Sequence, residues 1–212
     1  DFIVTLGQWN YECQGGSNPG DFCFNDGDCV GGVCQALGDV DGDGDDDHDV
    51  GSDRQQSGTL MHELGHNLNL RHGGAVDTNY KPNYLSIMSY RYQFSGILPS
   101  NRLDYSADDM SDLDEDNNLN EPIGIQDGTD DTRYNCPDGT VRTEAGTGAI
   151  DWNCDGDGGT DPTVKVDINS DGGFNVLNGF NDWENLKYDF QNSVNFQDGV
   201  HAVLDVPDME FK

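Results

Sequence analysis

Positive charge is scarce in this sequence: 10 Lys and Arg face 41 Asp and Glu, for a formal net charge of -31. A chain so acidic offers no basic surface to nucleic acid or to an anionic membrane, and both are excluded as partners. Apolar residues are few as well, at 33%. Together with abundant Gly, Asn and Asp, this predicts a loop-rich fold around a modest core, ordered by something besides apolar burial. No apolar run reaches the length that spans a bilayer. A signal peptide is missing too. The chain starts abruptly at Asp1, in what reads as the middle of a strand, so a targeting segment or pro-segment is expected upstream.

None of the six cysteines sits in a C-x-x-C pair, which removes the commonest structural-zinc pattern. Their even number and loop-like spacing point instead to disulfides and an oxidising, extracellular compartment. Cys136 and Cys154 are natural partners. Cys13, Cys23, Cys29 and Cys34 are expected to pair among themselves, in one of three ways. The 212 residues suffice for one domain, 1–212, or for two small lobes sharing a cleft.

Residues 2–9 read as a strand. Residues 10–53 lack periodicity and read as an insertion held by disulfides and calcium. In 54–72, Leu60, Met61, Leu64, Leu68 and Leu70 recur at roughly helical spacing, predicting a helix over 57–69 with Ser57 as its N-cap. From 73 to 163 the chain reads as mostly irregular. A second helix is expected near 179–191 behind Asn178, and a late strand over 201–206. His48 and His201 have no matching partners and read as surface residues.

Chemistry concentrates in Met61-His62-Glu63-Leu64-Gly65-His66-Asn67-Leu68-Asn69-Leu70-Arg71-His72. Residues four apart share a helix face, so His62 and His66 can offer imidazole nitrogens to one ion. A sharp turn near 69, where Asn tolerates the left-handed conformation, would return His72 to the same ion. Three neutral imidazoles leave a fourth zinc position for water, and Glu63 stands ready to take that water's proton.

This segment resembles the long zinc signature of the metzincin metallopeptidases, H-E-x-x-H-x-x-G-x-x-H, with Asn69 where the family has glycine. Ser86-Ile87-Met88-Ser89-Tyr90 resembles the family's Met-turn. The resemblance implies a two-lobed α+β catalytic domain with residues 73–212 as the lower lobe. It also implies Met88 as an apolar floor beneath the histidines. Tyr90 would ligate zinc at rest or hydrogen-bond the oxyanion. A secreted zinc endopeptidase, monomeric and acting on protein or peptide, is the function expected from it. A non-enzymatic, calcium-stabilised scaffold with structural zinc is the rival, and Glu63 argues against it.

The acidic clusters carry a second expectation. Asp39, Asp41, Asp43, Asp45 and Asp47 alternate with Gly and Val, resembling thrombospondin-type calcium repeats. Asp112, Asp114 and Asp116 repeat the theme, as do Asp155, Asp157 and Asp161. Asp167, Asn169, Asp171 and Asn175 resemble an EF-hand or dockerin loop, but its twelfth position is Asn178 instead of a bidentate Glu. Catalytic Zn2+ and structural Ca2+ are therefore the expected cofactors.

Overall fold

A computed structural model describes residues 11–17, 23, 29–36, 52–116, 119–127, 129–187, 196–197 and 200–201. The expected strand over 2–9, the Asp39–Asp47 cluster, His48 and most of the 201–206 tail lie outside them. Helices and small antiparallel sheets are mixed, so the fold is α+β. Among the described residues no helix is long and apolar enough to cross a membrane.

The first unit is a hairpin, β1 (Tyr11–Gln14) against β2 (Val33–Ala36), with Cys13 opposite Cys34 in register. The bonds run elsewhere: Cys13 to Cys29 and Cys23 to Cys34. Among the described residues of this unit, Cys13, Cys23 and Cys29 are the buried ones, so there the crosslinks stand in for apolar side chains.

Helix α1 spans Asp53–Asn67. Its N-cap, Ser52, lies five residues before the expected Ser57, because Ser52 and Gln55 form a capping box, each side chain bonded to the other's backbone N–H. The apolar spacing also mispredicts its inner face. Leu60 and Leu64 are exposed, whereas Gln55, Gly58, Thr59, His62 and Gly65 are buried. The glycines explain the inversion. A Cβ on Gly58 would overlap the Gln93 carbonyl, and one on Gly65 would overlap Met88 Sδ. Side-chain-free positions let the helix lie directly on the segments beneath it. Arg54 fastens its first turn by donating to the Phe94, Ser95 and Asn101 carbonyls.

Residues 73–163 are more ordered than their composition suggests. Strands β4 (Asp131–Asn135) and β5 (Val141–Ala145) form a hairpin closed by Pro137-Asp138-Gly139. Short strand β3 (Leu113–Asp114) pairs with β6 (Val176–Leu177). The largest apolar cluster lies between them, around Leu119, Ile125, Tyr134, Ile150, Trp152 and Ile168. The Cys136–Cys154 bond joins the end of β4 to the acidic loop after Trp152. A second cluster, Leu70, Tyr84, Ile87, Met88 and Tyr105, sits directly under α1. The expected C-terminal helix is a single turn, α2 (Asp182–Asn185), capped by Asn181 instead of Asn178; residues 188–191 lie outside the described residues. Strands β7 (Phe196–Gln197) and β8 (Val200–His201) form a last short pair.

Candidate metal centre

His62 and His66 project from one face of α1 with ring centroids 4.8 Å apart. Each is oriented from behind. His62 Nδ1 donates to the Ile87 carbonyl at 3.0 Å and His66 Nδ1 to the Leu70 carbonyl at 2.9 Å. A carbonyl can only accept, so the proton belongs on Nδ1 and the Nε2 lone pair is left for a metal. Burial lowers the His62 pKa to about 4, with smaller contributions from His66 and His72, so this ring is neutral at physiological pH.

The chain then reverses. Leu70 N–H bonds the Gly65 carbonyl and Asn69 N–H the His66 carbonyl, the two bonds of a Schellman cap, with Asn69 left-handed at φ 73°. Arg71 and Gly74 exchange backbone hydrogen bonds, closing the turn that carries His72. Its ring centroid lies 5.3 Å from that of His62 and 4.9 Å from that of His66. One nitrogen from each histidine lies within 4.8 Å of the others. The donor set, three imidazoles of which two are fixed by carbonyls, fits zinc.

Glu63 follows the first of these histidines and is half-buried. Its charge helps raise the pKa of Tyr90, after burial, and works against the burial-driven lowering at His72. Tyr90 is 45% exposed, with its ring 4.5 Å from His72 and 5.2 Å from His62. It is therefore a surface residue over the histidines and not part of the core.

Met88 is fully buried against Gly65, beneath α1. Its turn depends on a residue that the sequence did not single out. Asp182, itself fully buried, accepts from Tyr84 Oη at 2.7 Å, Ser86 Oγ at 2.5 Å and Ser106 N–H at 3.0 Å. Ser86 Oγ in turn accepts from Met88 N–H. Burial raises the Asp182 pKa. Nothing in the local pattern marks this aspartate, which acts across 96 residues.

Among the described residues, three acidic groups gather oxygens within 4.8 Å: Glu115 with Asp167 and Asp171, Glu121 with Asp151 and Asp157, and Asp155 with Asp157 and Asp161. Neither Glu115, Glu121 nor Asp151 was expected, and among the described residues Asp112, Asp114 and Asp116 join no such group. Asp114 instead accepts from the Asp116 N–H, and Asp116 pairs with Lys165. Glu115 and Glu121 are fully buried. Glu115 accepts from the Ile168 and Asn175 N–H groups at 2.7 and 3.0 Å; Glu121 accepts from Asn153 and Asp161, both at 3.2 Å. Burial raises both pKa values, and neighbouring aspartates add to it. The Glu missing from position twelve of the 167–178 loop thus has a counterpart in Glu115, reaching in from a remote strand end. Asn175 Nδ2 donates to Asp171.

Comparison of the chain with protein-family models, with curated proteins and with solved structures finds no match.

Proposed function

We propose that this chain is a secreted, zinc-dependent endopeptidase of the metzincin type, stabilised by calcium in its acidic loops. The observation that carries the reading is the convergence of His62, His66 and His72, with the first two rings fixed through Nδ1, beside Glu63. The left-handed Asn69 turn and the burial of Met88 under α1 support the metzincin-like, two-lobed architecture. The three disulfides are compatible with an extracellular life.

Zinc held by the three histidines would supply a water acidified to near-neutral pKa and a Lewis acid for the scissile carbonyl. Glu63 accepts the proton of the attacking water and returns it to the leaving amine. Tyr90, whose phenol burial keeps protonated, donates to the oxygen that gains negative charge. His62 and His66 keep their orientation through Ile87 and Leu70, so little reorganisation accompanies the reaction. In the acidic loops, Asp167, Asp171 and Glu115, and likewise Asp151, Asp157 and Glu121, would hold calcium through carboxylate oxygens.

Cleavage of an unfolded protein by the wild type and by Glu63→Ala, with zinc and calcium present, tests the reading. Loss of the general base should lower kcat by about 100-fold or more while zinc still binds. Equal activity in the two proteins, or a wild type that binds zinc and cuts nothing, would remove the peptidase assignment and favour a scaffold.

A further inference from the structure

Three of the structural devices around the histidines converge on one short segment, Asn79-Tyr80-Lys81-Pro82-Asn83, between the third histidine and the Met-turn. Its alternate side chains reach in different directions. Asn79 Oδ1 accepts from Ser89 Oγ at 3.2 Å and from Tyr90 N–H at 3.1 Å, while its carbonyl accepts from Asn169 Nδ2. Lys81 Nζ donates to the Gly73 carbonyl at 2.8 Å and the Asn178 carbonyl at 2.6 Å. Asn83 Nδ2 donates to Ser111 and Leu177. Tyr80 takes φ 60°, a left-handed kink between Asn79 and Lys81.

The third histidine needs such support more than the other two. His62 and His66 each have a ring nitrogen bound to a carbonyl; among the described residues, no hydrogen bond reaches the His72 ring. Its position therefore falls to the backbone of its turn. Gly73, the next residue, has both ends of its peptide engaged: its N–H donates to Val76 and its carbonyl accepts from Lys81. Lys81 is 1% exposed, and a Cβ on Gly73 would stand 3.0 Å from Lys81 Cε, so the lysine stem lies against the turn. A buried ammonium is costly unless its donors are used, and a charge-assisted bond to a carbonyl is stronger than a neutral one.

We propose that Lys81 is a positioning residue that fixes His72 by locking the Gly73 carbonyl to the Asn178 carbonyl, so that the 167–178 loop braces the third metal ligand. This rests on the zinc-centre reading. Lys81→Met keeps the stem and removes the donors. It should weaken zinc binding about tenfold or more, the range that loss of a supporting partner brings. It should also shift the visible spectrum of the cobalt-substituted protein and lower kcat more than it changes KM. Lys81→Arg, which restores donors, should recover part of the affinity. Should Lys81→Met fail to fold, Lys81→Gln is read in the same way. Zinc affinity and a cobalt spectrum equal to wild type in a folded variant overturn the proposal. So does a loss of melting temperature that is identical with and without zinc. If the wild type itself binds no zinc, the zinc-centre reading fails first.

Discussion

Replacing Gly65 by alanine asks whether α1 rests on Met88. On an exposed helix this exchange stabilises by about 0.5–1 kcal/mol, because glycine has more backbone freedom to lose. Here the added methyl would overlap Met88 Sδ and stand 3.0 Å from Tyr105 Cε1. Overpacking of a buried contact costs about 1–3 kcal/mol. The balance is a loss of up to about 2.5 kcal/mol, or a melting temperature lower by up to about 5–10 °C in a chain of this size. Met88→Ala alone should cost about 2–5 kcal/mol through the cavity it leaves. The two changes compensate in space, so the double variant should lose less than the sum by about 1 kcal/mol or more. Denaturant unfolding of the four proteins, in excess zinc and calcium, gives the cycle directly. A more stable Gly65→Ala, or strict additivity, would refute the close packing of helix on methionine.

Calcium at 100 times its dissociation constant should stabilise the chain by about 2.7 kcal/mol per site. Glu115→Gln should remove one ion from the stoichiometry measured by calorimetry and leave the Glu121 group loaded; an unchanged count would discard the Glu115 assignment. Burial lowers the Lys81 pKa from 10.5 to about 8. Below that value both folded and unfolded chains are protonated there and the penalty of burying the charge is full. Between about 8 and 10.5 the unfolded chain binds the extra proton, so stability rises with pH, by up to about 1.4 kcal/mol per unit. Unfolding free energies of wild type and Lys81→Met should therefore diverge over that window in favour of the wild type, and a constant difference would contradict it.

The histidine triad could be read from the sequence because its geometry is local. His62 and His66 are one helical turn apart, and Asn69 supplies the left-handed residue of the cap. The buried face of α1 could not. Its apolar residues point outward because Gly58 and Gly65 permit close approach, an effect of missing atoms that hydrophobic spacing does not register. The true cap was written plainly as Ser52-Asp-Arg-Gln55, but it lay in a stretch whose cysteines and aspartates read as loop. Likewise Pro137-Asp138-Gly139 is a turn signal between two strands too polar to show alternation. Asp182, Glu115 and Glu121 were invisible for a different reason. Their partners lie between 32 and 98 residues away, and only the folded chain brings them together.

That separation bears on when the acidic loops would acquire the calcium proposed for them. In a newly made chain the aspartates of 151–161 and 167–171 are neighbours, but Glu115 and Glu121 are distant, and closing those loops costs entropy before any contact is gained. A cation that needs the buried glutamate has its full ligand set only after the 113–121 segment has docked, so it favours the finished fold over every earlier state. Under the proposed calcium reading, the ion would act as a latch set at the end of folding, and the free calcium concentration, not the sequence alone, would decide how firmly it holds.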